Sequence, residues 1–284
     1  MCGIVGFTGN RQAAPILLDG LSKLEYRGYD SAGLAVRDGE NLAQVVKAKG
    51  RLSNLIEKTD GGKALKGTCG IGHTRWATHG EPSQTNAHPH VSGNCTRSGS
   101  GTVESEVVGV HNGIIENYAT LRDQLRKRGY TFNSETDTEV LVQLIEYIMN
   151  IRHSDLATSV RSALRLCIGA YAIAVVDRRV PTQMVAARKS SPLAIGIGKE
   201  NGEFFIASDA SPIAEYTNRI VYLNDEDVAL IEQGKELQIE NLHSGSVDYE
   251  IKEVDLDLTM LDKGGFPHFM LKEIFDQPTV LKDC

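Results

Sequence analysis

The chain opens Met1-Cys2-Gly3-Ile4-Val5-Gly6-Phe7, and no other stretch constrains its fold as much. Cells trim an initiator methionine when the next residue is small, which leaves Cys2 at the terminus with a thiol and a free α-amine on one residue. The amine has an ordinary pKa of about 7.7–8.0 and the thiol one of about 8.5, so near neutral pH the amine can take the thiol proton. Such a residue is a nucleophile with its own base. Ile4-Val5, bracketed by Gly3 and Gly6, reads as a buried strand, which would hold this terminus in place and keep it from fraying.

Composition narrows the functional classes. With 284 residues, 41% hydrophobic and 24% charged, the chain can build one large globular domain with an appendage. The net charge of −7 is spread among interspersed positive residues, so neither nucleic acid nor an anionic membrane is indicated as a partner. The start lacks a basic segment followed by an apolar one, and the longest apolar run, Ala170 to Val176, is too short to span a bilayer, so a cytoplasmic protein is expected. The five cysteines (Cys2, Cys69, Cys95, Cys167, Cys284) are odd in number and scattered, without a CxxC pair, which argues for reduced thiols.

Along the chain, apolar spacing predicts a helix over Gln12–Leu24, strands at Leu34–Val36 and Ala43–Lys47, and a short helix at Leu52–Lys58. Between the first of these lies Leu24 to Gly33, whose Arg27, Gly28 and flanking tyrosines suit either a solvated turn or the wall of a site. The stretch from Cys69 to His90 holds His73, His79, His88 and His90 together with Trp76, the single tryptophan. Those imidazoles could suggest a metal. No acidic ligand sits at helical spacing and no His-x-x-x-His helix occurs, however, so the segment is read as a recognition loop leaving a strand at Thr74. There Arg75 offers a cationic fork for a carboxylate and Trp76 a flat lid. Residues 93–105 are small, polar and glycine-rich and are expected to form a mobile surface loop.

A strand from Val107–Val110 is expected to end at His111-Asn112-Gly113-Ile114-Ile115, with Asn117 capping a helix over Tyr118–Arg128. Asn112-Gly113 is either a turn or, at the mouth of a site, a pair of donors for a developing oxyanion. A strong helix begins near Asp137, which is either a first-turn acid favoured by the helix dipole or a binding residue. Another spans Asp155–Cys167. Strands then follow at Ala170–Val176, Met184–Arg188, Leu193–Ile197 and Phe204–Ser208, a short helix at Ile213–Tyr216, and strands at Ile220–Leu223, Val228–Ile231 and Leu237–Asn241. Blocks of strands separated by blocks of helices imply antiparallel sheets covered by helices, an α+β protein.

Five of these segments together, Met1 to Gly6, Tyr26 to Gly33, Gly72 to Gly80, His111 to Gly113 and Ser134 to Glu139, resemble the class II glutamine amidotransferases, which are N-terminal-nucleophile hydrolases. Tyr26-Arg27-Gly28-Tyr29-Asp30-Ser31 and Gly265 to Ile274 resemble most the branch that forms amino sugars from fructose 6-phosphate, more than the amidophosphoribosyltransferase, asparagine synthetase or glutamate synthase branches. The resemblance implies an αββα sandwich, a glutaminase domain over 1–240 and a linker over 241–284 toward a sugar-isomerase part, so the chain is expected to be a piece of a longer enzyme. It also implies glutamine as substrate and no metal or cofactor, and leaves a homodimer open for the full-length enzymes. By position it implies Cys2 as nucleophile, Asn112 and Gly113 as oxyanion donors, and Arg75 and Asp137 as partners of the α-carboxylate and α-ammonium of glutamine. Trp76, Thr78 and His79 would form the pocket wall and lid, and Arg27 and Gly28 the loop beside the nucleophile. A module that binds glutamine without turnover is the non-enzymatic alternative.

Overall fold

The computed structural model describes residues 2–39, 41, 43–77, 80–93, 106–199, 202–254, 265–267 and 269–283. Among these residues fifteen strands form two antiparallel sheets. In the first, β1 (Gly3–Thr8) lies between β4 (Cys69–Arg75) and β10 (Phe204–Ala207). Beyond β4 come β2 (Ser31–Arg37) and β3 (Gln44–Lys49), and beyond β10 come β9 (Ala194–Ile197), β11 (Arg219–Tyr222) and β15 (Lys252–Glu253). The second sheet runs β5 (His90–Val91), β6 (Val107–Ile115), β7 (Gly169–Asp177), β8 (Gln183–Lys189), β12 (Asp227–Glu232), β13 (Gln238–Asn241) and β14 (Gly245–Ser246).

Side-chain alternation along the strands builds three stacked cores. Ile4 of β1 joins Ile71, Val108, Val110, Ala172, Ala174 and Ile206 between the two sheets. Val5 and Phe7 point the opposite way, into a core with Leu17 and Leu21 of α1 (Ala13–Ser22) and Leu52 and Leu55 of α2 (Leu52–Lys58). On the far face of the second sheet, Val107, Ile115, Ile173 and Val175 pack against α3 (Tyr118–Lys127), α4 (Asp137–Arg152) and α5 (Leu156–Leu164). The order is therefore helix, sheet, sheet, helix: a four-layer αββα sandwich, in agreement with the α+β reading. Every residue of β1 is buried, because both faces of this strand are covered. The terminus carrying Cys2 thus starts inside the molecule and cannot fray without exposing core.

Three local expectations are corrected. The turn reading of Asn112-Gly113 falls: β6 runs through both residues to Ile115, as far as the strand was expected to reach, with Asn112 opposite Ala172 and Gly113 opposite Tyr171. Gly113 permits this, since at φ +124 an added Cβ would lie 2.1 Å from the Ala170 carbonyl oxygen. Asn117 precedes α3 without a side-chain capping bond, because its amide instead spans Leu166 O at 2.8 Å and Ile168 N at 3.0 Å. Residues 213–216 form successive turns, in which Tyr216 and Thr217 N–H groups both reach Ile213 O. The loop expected over 93–105 lies, after Gly93, outside the described residues. Past residue 241 the two short strands β14 and β15 extend the two sheets, and α6 (Phe269–Asp283) follows. Among the described residues no helix is long and apolar enough to cross a membrane.

Candidate active site

One end of the sandwich opens into a cleft of about 340 Å³, within the range of small-ligand pockets. Its walls bring together residues far apart in sequence: Cys2, Arg27, Arg75, Trp76, Asn112, Gly113 and Asp137, with His88, His111, Ile114, Thr136, Thr138, Ser191 and Pro192. β1 and β4 run antiparallel with Gly3 opposite Thr74, so Cys2, just before β1, comes beside Arg75 and Trp76 at the end of β4. The Trp76 backbone N–H donates to Cys2 Sγ at 3.2 Å. Burial pushes the Cys2 thiol up, and this N–H opposes the shift. With Met1 attached, the Cys2 nitrogen is an amide with no basicity to offer, so the intact chain holds the sulfur predominantly as a thiol.

Asn112 and Gly113 face Cys2 from the other sheet. Asn112 Nδ2 donates to the Cys2 carbonyl oxygen at 3.1 Å. Gly113 is exposed into the cleft, so its backbone is reachable by a ligand. Asp137 occupies the first turn of α4 with Thr136 as N-cap, as its acidic start implies, and its Oδ2 accepts from Ile115 N at 2.8 Å. It is nevertheless part of the cleft wall, so the helix start serves as both cap region and site. Arg75 donates to Gly80 O at 3.0 Å and to Glu81 O at 3.3 Å, which fastens the segment beyond the recognition loop.

The Tyr26 to Gly33 segment touches the cleft through Arg27, while Tyr26 and Tyr29 stay about half exposed. Arg27 lines the cleft and pairs with Asp209 at 2.5 Å. Gly28 packs directly beneath Arg75, where an added Cβ would lie 2.7 Å from the Arg75 carbonyl carbon. Tyr29 meets Trp76 edge-on at 5.8 Å, and the Ala77 N–H donates to Asp30 Oδ2. Thr78 and His79 lie outside the described residues.

Along and beneath the cleft wall sits a group of imidazoles, of which the sequence had grouped His73, His88 and His90 in one stretch without showing their contacts. His73 stacks on His88 with centroids 4.2 Å apart, and His88 meets His90 edge-on at 4.9 Å. Thr138 Oγ1 joins His88 Nε2 at 2.7 Å and His111 Nδ1 at 3.1 Å, while Thr136 Oγ1 meets His90 Nε2 at 3.0 Å. Burial lowers the pKa of His73 to about 3, and lowers those of His88 and His90 well below the usual histidine range. Among the described residues no group of three or more His, Cys, Asp or Glu side chains is arranged to hold a metal ion. Sequence reasoning also missed Ser191 and Pro192, which reach the cleft from the loop after β8. Ser190 just before them lies in the left-handed region at φ 61, which residue type does not announce.

An αββα sandwich with a cysteine at the start of a central strand, set in a cleft, is the N-terminal-nucleophile class of architecture. Residues 100–215 match the family described as a glutamine amidotransferase domain. A glutamine–fructose-6-phosphate aminotransferase (isomerizing) of Bacteroides thetaiotaomicron is 53% identical over 284 residues, covering 100% of this chain and 44% of that protein. Its namesake from Thermus thermophilus is 49% identical over the same length, again with 44% of the relative covered. Among solved structures, the glutamine phosphoribosylpyrophosphate amidotransferase of B. subtilis superposes with a TM-score of 0.71 at 24% identity, over 86% of this chain and 50% of that one. An allosteric regulatory enzyme of purine biosynthesis gives 0.70 at 26% identity, over 85% of this chain and 49% of that one. The chain thus carries a stretch similar to a glutamine amidotransferase domain and spans less than half the length of the aminotransferases it matches.

Proposed function

We propose that this chain hydrolyses glutamine, with Cys2 as the nucleophile. The observation that carries the reading is the pairing of Cys2 with two backbone or amide donors, the Trp76 N–H and Asn112 Nδ2, in a cleft whose walls also hold the cations Arg75 and Arg27, the latter paired with Asp209, and the anion Asp137. A free amino acid has a carboxylate and an ammonium that must both be matched when it leaves water. In this reading Arg75 takes the first and Asp137 the second, Trp76 and the Arg27-Gly28 loop wall the site, and Thr78 and His79 complete the lid.

The chemistry is acyl transfer. After Met1 is removed, the Cys2 amine accepts the thiol proton, and the thiolate attacks the side-chain amide carbon of glutamine. The carbonyl becomes an oxyanion stabilised by Asn112 Nδ2 and the Gly113 N–H. The C–N bond breaks as the amine returns its proton to the leaving nitrogen, giving ammonia and a γ-glutamyl thioester. Water, deprotonated by the same amine, attacks the thioester and releases glutamate. In the longer relatives' setting, residues 1–240 would act as the glutaminase domain and 241–284 would lead to a sugar-isomerase part that uses the ammonia on fructose 6-phosphate. The free thiols of Cys2, Cys69 and Cys167 suit a cytoplasmic location.

The direct test incubates Met1-processed protein with glutamine and follows glutamate and ammonia in equal amounts. Glutamine binding without either product would make the chain a sensing module instead. Asn112→Ala is expected to lower kcat by about 10²–10³-fold with little change in KM. Arg75→Ala and Asp137→Ala each leave a substrate charge unpaired and should lose about 2–5 kcal/mol in kcat/KM. Near wild-type kinetics for Asp137→Ala would reduce that residue to the start of α4.

A further inference from the structure

His73 stands within β4, fully buried, on the side of the oxyanion donor away from Cys2. Its Nε2 lies 3.0 Å from Asn112 Oδ1 and 3.2 Å from the His111 carbonyl oxygen. A carbonyl oxygen can only accept, so Nε2 must carry the hydrogen; the tautomer follows from the network. The opposite ring nitrogen, Nδ1, is buried without a hydrogen-bond partner, as suits a bare lone pair better than a second N–H. Burial keeps the ring neutral, its pKa being pushed down to about 3. His88, stacked at 4.2 Å and itself held by Thr138, fixes the plane of the ring.

The consequence falls on Asn112. A carboxamide can sit with its oxygen or its nitrogen toward His73, and these two orientations present opposite chemistry to Cys2. With Nε2–H on one side, the oxygen must face His73, and the Nδ2 hydrogens then face the nucleophile, where one meets the Cys2 carbonyl at 3.1 Å. The flipped amide would set N–H against N–H and turn an acceptor toward the place where negative charge develops. We propose that His73 is a positioning residue that, through Nε2–H, locks the Asn112 amide with its donor toward Cys2. It touches neither substrate nor sulfur and acts only through Asn112. The proposal rests on the glutaminase reading given above.

The test is a double-mutant cycle in glutamine hydrolysis by the full, Met1-processed chain, with His73→Leu, Asn112→Ala and the pair together. His73→Leu should lower kcat by about 10–100-fold, the usual scale for a residue that orients a catalytic group, while KM stays within about threefold. His73→Gln, whose amide nitrogen reaches the same place, should recover most of the loss. In the Asn112→Ala background His73→Leu should cost less than about twofold, because the amide it orients is gone. Losses that multiply, or a loss confined to KM, would overturn the assignment. A wild type without glutaminase activity would instead sink the functional reading. Should His73→Leu fail to fold, nitrogen-15 NMR of wild-type histidine side chains decides the matter. A neutral ring protonated at Nε2 between pH 6 and 8 is required, and an Nδ1–H tautomer or a charged ring for His73 would overturn the proposal.

Discussion

Protein that retains Met1 is expected to hydrolyse glutamine about 10²–10⁴-fold more slowly than processed protein, the usual worth of a general base. The reason lies in where the base is. No histidine or carboxylate is hydrogen-bonded to Cys2 Sγ among the described residues, whose recorded partners are the N–H and carbonyl of Trp76. The His73 and His88 rings, though nearby, are held neutral by burial and engaged with Asn112, His111 and Thr138. The only basic group that processing can supply is the Cys2 amine, and an amide nitrogen is no substitute. Burial, which holds the thiol up in the unprocessed chain, makes the loss severe because an unaided thiolate is scarce. Cys2→Ala removes the sulfur itself and should abolish turnover. Mass spectrometry to measure the processed fraction, with initial rates on the same samples, tests the claim. A rate independent of the Met1-retaining fraction would show that another group serves as base.

The same buried imidazoles should make the fold acid-sensitive well above the pH at which carboxylates protonate. His73, His88 and His90 are all shifted down from an ordinary value near 6.5. Below that pH the unfolded chain binds protons that the folded chain refuses. Stability therefore rises with pH across this range and is lost as pH falls through 6.5. At pH 5 each imidazole that stays neutral in the fold costs about 2 kcal/mol relative to its unfolded value. The three act in the same direction, against a whole stability for many domains on the order of 5–15 kcal/mol. Arg75 and Lys47 add to the effect, since both repel a proton on His90. Urea midpoints measured from pH 8 to pH 4.5 should fall below pH 6.5, with about two protons taken up on unfolding, because Glu146, its carboxyl pushed up by burial to about 7, already holds a proton in the fold and offsets one of the three. A flat profile down to pH 5 would mean that these rings can charge within the fold.

Ile4 and Val5 alternate between two cores, as a buried strand requires, and Ser134 to Glu139 announces α4, which starts at Asp137. Arg75, Asn112 and Asp137 were each legible as chemically useful residues, but Asn112 and Asp137 also had ordinary readings, as a turn and a first-turn acid. Sequence alone could not choose, because those readings are equally good locally. Their convergence depends on pairings across the chain: Gly3 with Thr74 sets Cys2 beside Trp76, and Asn112 with Ala172 holds an Asn-Gly pair in a strand where its own preference is to turn. The Tyr26 to Gly33 segment touches the cleft for a similar reason, since Gly28 lies under Arg75 and Arg27 reaches Asp209. The histidines show the divide most sharply. Residue type identified them as polar groups that could bind or catalyse. Only packing decided that His73, His88 and His90 are buried, neutral and turned toward Asn112, Thr138 and Thr136, because burial and hydrogen-bond partners come from surfaces brought together at long range, not from neighbours in the chain.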